Sequence, residues 1–229
     1  MTINVVERID DQVTVRNVLV SVSDKNGLEE FIPQLVGIRP EVKIFSTGGT
    51  YGRIKEILGA DAQARLTQVS DYTGQPETQG GLVKTLDFKI YLGLLTETYN
   101  EAHQADLQRT GSLPIDMVVV NLYPFKETIS RQGVTVEQAR GNIDIGGPCM
   151  IRASAKNFIR VASVVDPADY ARILEELKKN NGRTSLQLRF ELARKAFDHT
   201  AVYDRTIADY LAARSIDEAR GCYPDISGK

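Results

Sequence analysis

The stretch Asp116-Met117-Val118-Val119-Val120-Asn121 carries the strongest buried-strand pattern in this chain of 229 residues. Four consecutive apolar residues, three of them valine, stand between two polar ones. This pattern is typical of a strand whose two faces are both covered in a parallel sheet. We therefore expect residues 116–121 to lie centrally in such a sheet.

Two strand and helix units precede this strand. Asn17 to Val22 is rich in valine and is followed by a helical pattern over residues 28–35. Val42 to Phe45 is apolar and leads through the turn Ser46 to Thr50 into an amphipathic helix that ends near Gly59. Two such units in succession predict a parallel sheet with helices on its faces.

The remaining pattern completes an α/β fold with a helical end. We predict a third strand over Leu66 to Val69, a long loop from Ser70 to Gly81 and a last strand over Val161 to Val165. One long helical pattern runs from Ser185 to about Ala213, and the residues after Ser215 are polar and predict a frayed end or linker. Further helices are predicted over about residues 99–108 and 136–140, from a Gly-Gly-Pro break through Lys156, and after Pro167.

The chain is long enough for one large domain or two small ones, and one domain is the economical interpretation. We divide it into an N-terminal arm (1–16), an α/β core (17–166), a helical extension of the same domain (167–214) and a polar tail (215–229).

Composition limits the possible partners. The formal net charge is -2 and the sequence pI is about 5.8, so the basic surface that nucleic acid or an acidic membrane requires is not expected. Two cysteines, Cys149 and Cys222, are too few and too far apart for a disulfide framework or a metal site. With no signal peptide or spanning segment in the sequence, we expect a soluble, cytoplasmic protein.

Two turns that lead from strands into helices predict an anion site. They are Ser21 to Lys25, which contains Ser23, Asp24 and Lys25, and Ser46 to Thr50, which contains Thr47, Gly48, Gly49 and Thr50. In a parallel sheet such turns lie at one edge, where helix N-termini present free N-H groups to phosphate. The alternative is that they are only helix caps and a tight turn.

Asp144 and Lys156 stand twelve residues apart across the Gly-Gly-Pro break, and mostly apolar or small residues fill the interval. A poorly hydrated lysine beside a carboxylate could exchange protons with a substrate. The residues alone leave a structural ion pair equally open.

Asn121 and Tyr123 follow the strongest strand and should reach the same edge of the sheet, whereas Lys84 could face either a ligand or solvent. His103 and His199 are isolated, and the spacing of His, Cys, Asp and Glu does not resemble a metal site. We therefore expect neither a metal nor a covalent mechanism.

As an ordered set, six motifs resemble the inosine monophosphate (IMP) cyclohydrolase domain of the bifunctional purine-biosynthesis enzyme, whose other half is a formyltransferase. They are Ser21 to Lys25, Ser46 to Thr50, Val83 to Leu86, Asn121 to Phe125, Asn142 to Pro148 and Arg152 to Asn157; Lys195 to Ala201 is also similar to the family. The resemblance implies a methylglyoxal-synthase-like parallel sheet flanked by helices, with a helical C-terminal extension.

The resemblance also implies a reaction and its residues. The reaction is ring closure of 5-formamidoimidazole-4-carboxamide ribonucleotide (FAICAR) to IMP, with loss of water and without a cofactor. Catalytic positions matching the family are Lys156, Asp144, Tyr123 and Lys84; substrate-binding positions are Ser23, Asp24, Lys25, Thr47, Gly48, Gly49, Thr50, Lys84, Thr85, Asn121, Asp144 and Ile145. A homodimer and a fused or separate formyltransferase are the implied partners.

The chain departs from the family between residues 82 and 91. Leu82 replaces a usual arginine, Asp87-Phe88 replaces His-Pro, and Tyr91 stands near the place of a histidine. Losing a cation and adding a carboxylate should weaken an anion site. The alternative is therefore a diverged nucleotide-binding or regulatory module with weak or no cyclohydrolase activity, and a third possibility is an enzyme acting on another small phosphorylated substrate.

Overall fold

The computed structural model describes residues 5–75 and 84–224. Its strands are β1 (Gln12–Thr14), β2 (Asn17–Val22), β3 (Lys43–Ser46), β4 (Leu66–Gln68), β5 (Met117–Asn121), β6 (Ala162–Val164) and β7 (Arg183–Ser185). Five of them form a parallel sheet in the order β4-β3-β2-β5-β6, and β1 pairs antiparallel with β7. The predicted parallel sheet is confirmed.

Helices cover both faces of this sheet. They are α1 (Leu28–Ile38), α2 (Gly48–Leu58), α3 (Ala62–Arg65), α4 (Val69–Thr73), α5 (Phe88–Leu95), α6 (Glu101–Thr110), α7 (Phe125–Ile129), α8 (Val136–Gly141), α9 (Gly146–Lys156), α10 (Tyr170–Lys179), α11 (Leu186–Ala212) and α12 (Ile216–Gly221). Two 3-10 turns, Gly59–Asp61 and Pro167–Asp169, precede α3 and α10.

Both faces of β5 are buried, which explains its uninterrupted run of apolar residues. Met117 and Val119 belong to the core that packs beneath α1 and α10, whereas Val118 and Val120 belong to the core beneath α5 and α9. Successive strand side chains point to opposite faces, so both faces of β5 require apolar residues. The expectation of an interior strand is confirmed, although β2 occupies the middle of the sheet.

All strands of this sheet run parallel, but the direction in which successive strands are added to it reverses between β2 and β5. From β2 the chain moves through α1 to β3 on one side, and from β5 it moves through α7, α8 and α9 to β6 on the other. Parallel sheets leave a crevice at the carboxyl ends of two such strands, and ligands bind there. The residues predicted to bind an anion follow β2 and β3 and therefore lie at this edge.

Three predictions about secondary structure were wrong: the extent of the long loop, the position of the last strand and the frayed end after Ser215. The predicted third strand ends at Gln68, and α4 takes up Val69 together with residues 70–73 of the predicted loop; residues 76–81 of that loop lie outside the described residues. The strand β7 follows the predicted last strand and pairs with β1 of the arm. Residues 216–221 form α12 rather than a frayed end, because Ser215 and Glu218 make a reciprocal capping box.

A buried ion pair anchors the start of β5. Asp116 and Arg160 are 3% and 6% exposed, and the Asp116 carboxylate accepts hydrogen bonds from Arg160 Nη1 at 3.3 Å and from the N-H groups of Arg16 and Asn17 at 2.8 and 3.0 Å. Arg160 also donates to the carbonyl oxygens of Thr96 and Ile115. Removing one partner would leave the other charge buried without compensation.

We therefore expect Asp116→Ala to lower the free energy of unfolding by about 3 to 5 kcal/mol. Urea denaturation followed by circular dichroism measures this loss. Asp106→Ala is the matched control, since Asp106 pairs with Arg109 at 2.8 Å on an exposed helix surface, and it should cost less than about 1 kcal/mol. Equal losses in both variants would contradict the assigned role of Asp116.

Candidate active site

A polar cavity of about 250 Å³ lies at the carboxyl ends of β2, β3 and β5. Its volume is a little below the usual range of small-molecule sites, which begins at about 300 Å³. Most of the residues predicted for the site line it: Ser23, Lys25, Thr47, Gly48, Gly49, Thr50, Lys84, Thr85, Asn121, Tyr123 and Asp144.

The start of α2 forms the most positive part of this cavity. No side chain caps this helix within the described residues, and the first N-H groups of a helix have no partner inside it. Gly48 has φ of 48°, a conformation that glycine adopts readily, and a Cβ built there would lie 3.2 Å from Lys84 Nζ. A Cβ on Gly49 would lie 3.8 Å from Lys25 Cε. Two lysines and a helix N-terminus thus converge where an anion would bind.

Hydroxyl groups of the two turns make hydrogen bonds within the protein. Thr50 Oγ1 accepts from the N-H of Val22 at 3.1 Å and donates to the carbonyl of Val22 at 2.9 Å. Thr47 Oγ1 lies 3.3 Å from Ser21 Oγ. The Thr50 side chain therefore fastens α2 to the end of β2, and its role is to shape the cradle.

Asn121 acts mainly as a clamp between neighbouring strands. Its Oδ1 accepts from the N-H groups of Ser23 and Asp24 at 2.7 and 2.9 Å, and its Nδ2 donates to the carbonyl of Asp24 at 2.8 Å. An asparagine side chain has two acceptor positions and two donors. One N-H thus remains for the substrate contact that the resemblance implies.

Asp144 closes the opposite wall of the cavity. Its Oδ1 accepts from the N-H of Gly147 at 2.8 Å, and it also interacts with the N-H of Tyr123. Burial raises the pKa of the Asp144 carboxyl above its ordinary value, and the two backbone donors oppose this shift without cancelling it. Such a carboxyl holds its proton to a higher pH than an exposed aspartate and is suited to proton transfer.

The Gly146-Gly147 pair permits this arrangement. A Cβ on Gly147 would lie 2.6 Å from Asp144 Oδ2 and 2.6 Å from Leu122 Cδ2, and a Cβ on Gly146 would lie 2.8 Å from Thr85 Oγ1. Side chains at these positions would displace the carboxylate and the segment that carries Thr85. The glycines therefore allow the backbone to lie close to Asp144 and Thr85, and they also form the first turn of α9.

The structure does not bring Lys156 to Asp144. Lys156 is the last residue of α9 and is exposed, whereas Asp144 lies just before the first residue. Ten helical steps separate Gly146 from Lys156, a rise of about 15 Å. The expectation of a poorly hydrated lysine beside a carboxylate was wrong for Lys156, which is exposed and makes no ion pair with Asp144.

Two further predicted binding residues do not line the cavity. Ile145 is 59% exposed at the start of α9. Asp24 is also exposed, and its carboxylate accepts from the N-H of Asn26 at 3.0 Å within the turn before α1. Both stand beside residues of the site, so spacing in the sequence could not separate them from those that face inward.

The structure explains one of the substitutions between residues 82 and 91, where the chain departs from the family. Asp87 Oδ1 accepts from the N-H of Lys89 at 2.8 Å and caps α5, and Asp87 does not line the cavity. Phe88 is 58% exposed. Leu86 does line the cavity, whereas Leu82 lies outside the described residues. The added carboxylate thus serves a helix cap instead of opposing an anion.

Sequence reasoning missed several contributors. Ser21, Met150 and the two glycines of α9 line the cavity and belong to or adjoin motifs already noted, so a nearby signal existed. Tyr203 on α11 accepts a hydrogen bond from the N-H of Asp144, 59 residues away in the sequence. No local pattern marks that contact.

Within residues 5–75 and 84–224 the His, Cys, Asp and Glu side chains form no group of three or more suited to a metal ion. His199 is half-buried, and burial lowers its pKa. None of the helices in these ranges is long and apolar enough to cross a membrane.

Comparison with known families agrees with this geometry. The MGS-like domain family matches residues 27–149, and the AICARFT/IMPCHase bienzyme family matches residues 154–226. This chain belongs to the MGS-like domain family, whose model matches more than half of it, and its C-terminal part matches the AICARFT/IMPCHase bienzyme family. The family resemblance and the fold class stated from the sequence are confirmed.

Curated relatives and one solved structure are similar to most of the chain. Bifunctional purine biosynthesis protein PurH from Thermoanaerobacter sp. (strain X514) is 50% identical over 87% of this chain, and PurH from Bacillus subtilis (strain 168) is 49% identical over 86%. The chain spans only 38% and 37% of those proteins. A crystal structure of ForH superposes with a TM-score of 0.75 at 30% identity, covering 86% of this chain and 97% of ForH.

Because Lys25 stands at the α2 N-terminus, we expect Lys25→Ala to weaken binding of ribose 5-phosphate by about 10- to 100-fold, the range of one charge-assisted hydrogen bond. Isothermal titration calorimetry measures the affinity. Lys156→Ala removes the same charge from an exposed position outside the cavity and should leave the affinity unchanged. Equal weakening in both variants would indicate a general charge effect and contradict a local phosphate site.

Proposed function

We propose that this chain is an IMP cyclohydrolase that closes the ring of FAICAR with loss of water. The observation that carries the proposal is one cavity in which Lys25, Lys84 and an uncapped helix N-terminus stand opposite a half-buried carboxyl, Asp144. A phosphorylated substrate fits the first part, and proton transfer at the other end of the substrate fits the second. The similarity to PurH supports a role in purine biosynthesis.

Binding of the phosphate fixes the substrate in the cavity. We assign the phosphate to the N-H groups at the start of α2 and to Lys25. The ring then extends toward Tyr123 and Asp144, which line the same cavity. Ring closure joins two groups of one molecule, so holding them at reacting distance supplies much of the acceleration.

The chemistry requires transfer of two protons. The carboxamide nitrogen attacks the formyl carbon, and as the new C–N bond forms that nitrogen loses a proton and the formyl oxygen gains one. The C–O bond of the resulting carbinolamine then breaks, water leaves, and the former formamide nitrogen gives up its proton as the C=N bond forms.

We assign both proton transfers to Asp144. It accepts the carboxamide proton and passes it to the formyl oxygen, and it then accepts the proton of the former formamide nitrogen and passes it to the departing hydroxyl, which leaves as water. Tyr123 stabilises the charge on the formyl oxygen, whereas Lys84, whose Nζ lies beside Gly48, adds its charge to the phosphate end of the cavity. Lys156 is left out of the reacting centre, because it lies exposed at the far end of α9.

One of the two substitutions that favoured a diverged nucleotide-binding or regulatory module no longer supports it. That alternative rested on Leu82 and Asp87, and Asp87 caps α5 outside the cavity. Both lysines and Asp144 line the cavity, as an active enzyme requires. We therefore favour the enzyme over the regulatory module.

The proposal also includes a cytoplasmic location, a homodimer and a fused or separate formyltransferase. Four large apolar side chains of α11 are exposed and offer a surface for a second copy: Phe190, Phe197, Val202 and Leu211. Sedimentation equilibrium tests the dimer, and a mass near the 25.4 kDa of one chain would contradict it.

Asp144→Asn should lower kcat for FAICAR by about 10²- to 10⁴-fold, the usual contribution of general acid–base catalysis. The amide keeps the shape of the side chain but cannot exchange the proton, so IMP should still bind with nearly the parental affinity. Stopped-flow ultraviolet absorbance follows formation of IMP.

Lys156→Ala is the control and should retain turnover within about twofold, since surface substitutions rarely disturb a distant site. Loss of turnover in that variant would return Lys156 to the mechanism. Parental turnover in Asp144→Asn would remove Asp144 from it.

The pH dependence of kcat should also report Asp144. Because burial raises its pKa, the carboxylate becomes protonated at a higher pH than an ordinary aspartate, whose pKa is about 3.9. A reaction that begins with proton uptake by the carboxylate should therefore slow as the pH falls through this raised value. The residual activity of Asp144→Asn should lack that acidic limb, and an unchanged limb would assign it to another group.

A further inference from the structure

Tyr203, on the long helix α11, contacts the segment that carries Asp144. The Tyr203 hydroxyl accepts a hydrogen bond from the backbone N-H of Asp144 at 2.9 Å and lies 3.5 Å from the carbonyl oxygen of Asn142. One hydroxyl can accept from the first group and donate to the second. The main chain on both sides of Ile143 is thus held from a helix outside the sheet.

The carboxylate and the main chain of Asp144 are fixed by different elements. The N-H of Gly147 in α9 holds the carboxylate, whereas Tyr203 in α11 holds the backbone N-H. Two anchors on opposite sides of the Cα atom restrict both the path of the backbone and the direction of the side chain. Proton transfer depends strongly on such placement, because the reacting atoms must lie within hydrogen-bond reach.

The ring of Tyr203 is positioned independently of its hydroxyl. It packs edge-on against Phe125, with ring centroids 6.2 Å apart, and Phe125 is only 1% exposed. Removing the hydroxyl alone should therefore leave the ring in place and release only the hydrogen bonds to Asp144 and Asn142.

We infer that Tyr203 is a positioning residue that sets the catalytic placement of Asp144 through its hydroxyl. This inference rests on the proposed cyclohydrolase function. It assigns to α11 a direct part in the active site, in addition to its packing against β6 and α9.

Tyr203→Phe is the first test, and Tyr210→Phe is its matched control. Tyr210 lies on the same helix and also packs on Phe125, at 5.8 Å, but its buried hydroxyl has no hydrogen-bond partner among the described residues. We expect Tyr203→Phe to lower kcat for FAICAR about tenfold, the effect of one lost hydrogen bond, with KM nearly unchanged. Tyr210→Phe should keep the parental kcat. Equal kcat values in the two variants would overturn the inference.

A double-mutant comparison distinguishes positioning from a general structural effect. If Tyr203 acts through Asp144, Tyr203→Phe should cause almost no further loss of kcat in the Asp144→Asn background. An additional tenfold loss there would show that Tyr203 acts independently of Asp144 and would refute the positioning role. Thermal unfolding of each variant ensures that kcat is measured on folded protein.

Hydrogen exchange tests the contact without any substrate. In Tyr203→Phe the amide of Asp144 should exchange at least about tenfold faster by NMR, because it has lost its acceptor, and in Tyr210→Phe it should not change. If the parental protein fails to convert FAICAR, the cyclohydrolase proposal fails, and the exchange rates still decide whether Tyr203 holds Asp144. Unchanged exchange in Tyr203→Phe would overturn the inference whatever the activity.

Discussion

β2 and β5 pair in parallel, with Val22 opposite Asn121, and the Asn121 side chain then accepts hydrogen bonds from the N-H groups of Ser23 and Asp24. This pairing brings the ends of two strands, 99 residues apart, to the same level. The turn before α1, the start of α2 and the Tyr123 segment all depend on it for their positions. A shift in register would displace one wall of the cavity relative to the other, because each residue of a strand advances about 3.3 Å.

The charges of the site are arranged locally, in a protein with a net charge of only -2. Lys25 and Lys84 lie beside Gly49 and Gly48, which have no side chains, so the cations reach the first turn of α2 closely. Asp144 lies on the other wall, where burial keeps its pKa raised. Separating the cations from the carboxyl allows one end of the cavity to hold an anion while the other exchanges a proton.

The α/β core alone does not complete this site. The long helix α11 packs along α9 and β6, and through Tyr203 it reaches the segment before α9. The two family matches divide the chain between residues 149 and 154, inside α9. The second match thus contains the residue that holds Asp144, which gives a physical reason for the two parts to occur together in this chain.

Much of the fold follows from local pattern in the sequence. The valine-rich β5 needs apolar residues on both faces, the strand and helix units require a parallel sheet, and the turns after β2 and β3 necessarily share one edge of it. These properties depend on residues within one element or its neighbour, so the sequence alone determined them, together with the family resemblance.

Only the tertiary structure decided how individual side chains are used. The Thr50 hydroxyl hydrogen-bonds to the backbone of Val22, and the Asp87 carboxylate caps α5. The Tyr203 hydroxyl accepts a hydrogen bond from the backbone N-H of Asp144, 59 residues away in the sequence. The expectation of a poorly hydrated Lys156 beside Asp144 was wrong, because Lys156 is exposed at the end of a continuous helix that carries it about 15 Å along the axis. Spacing in a sequence fixes which residues share an element, but hydrogen-bond partners and solvent exposure depend on what the packed neighbours supply.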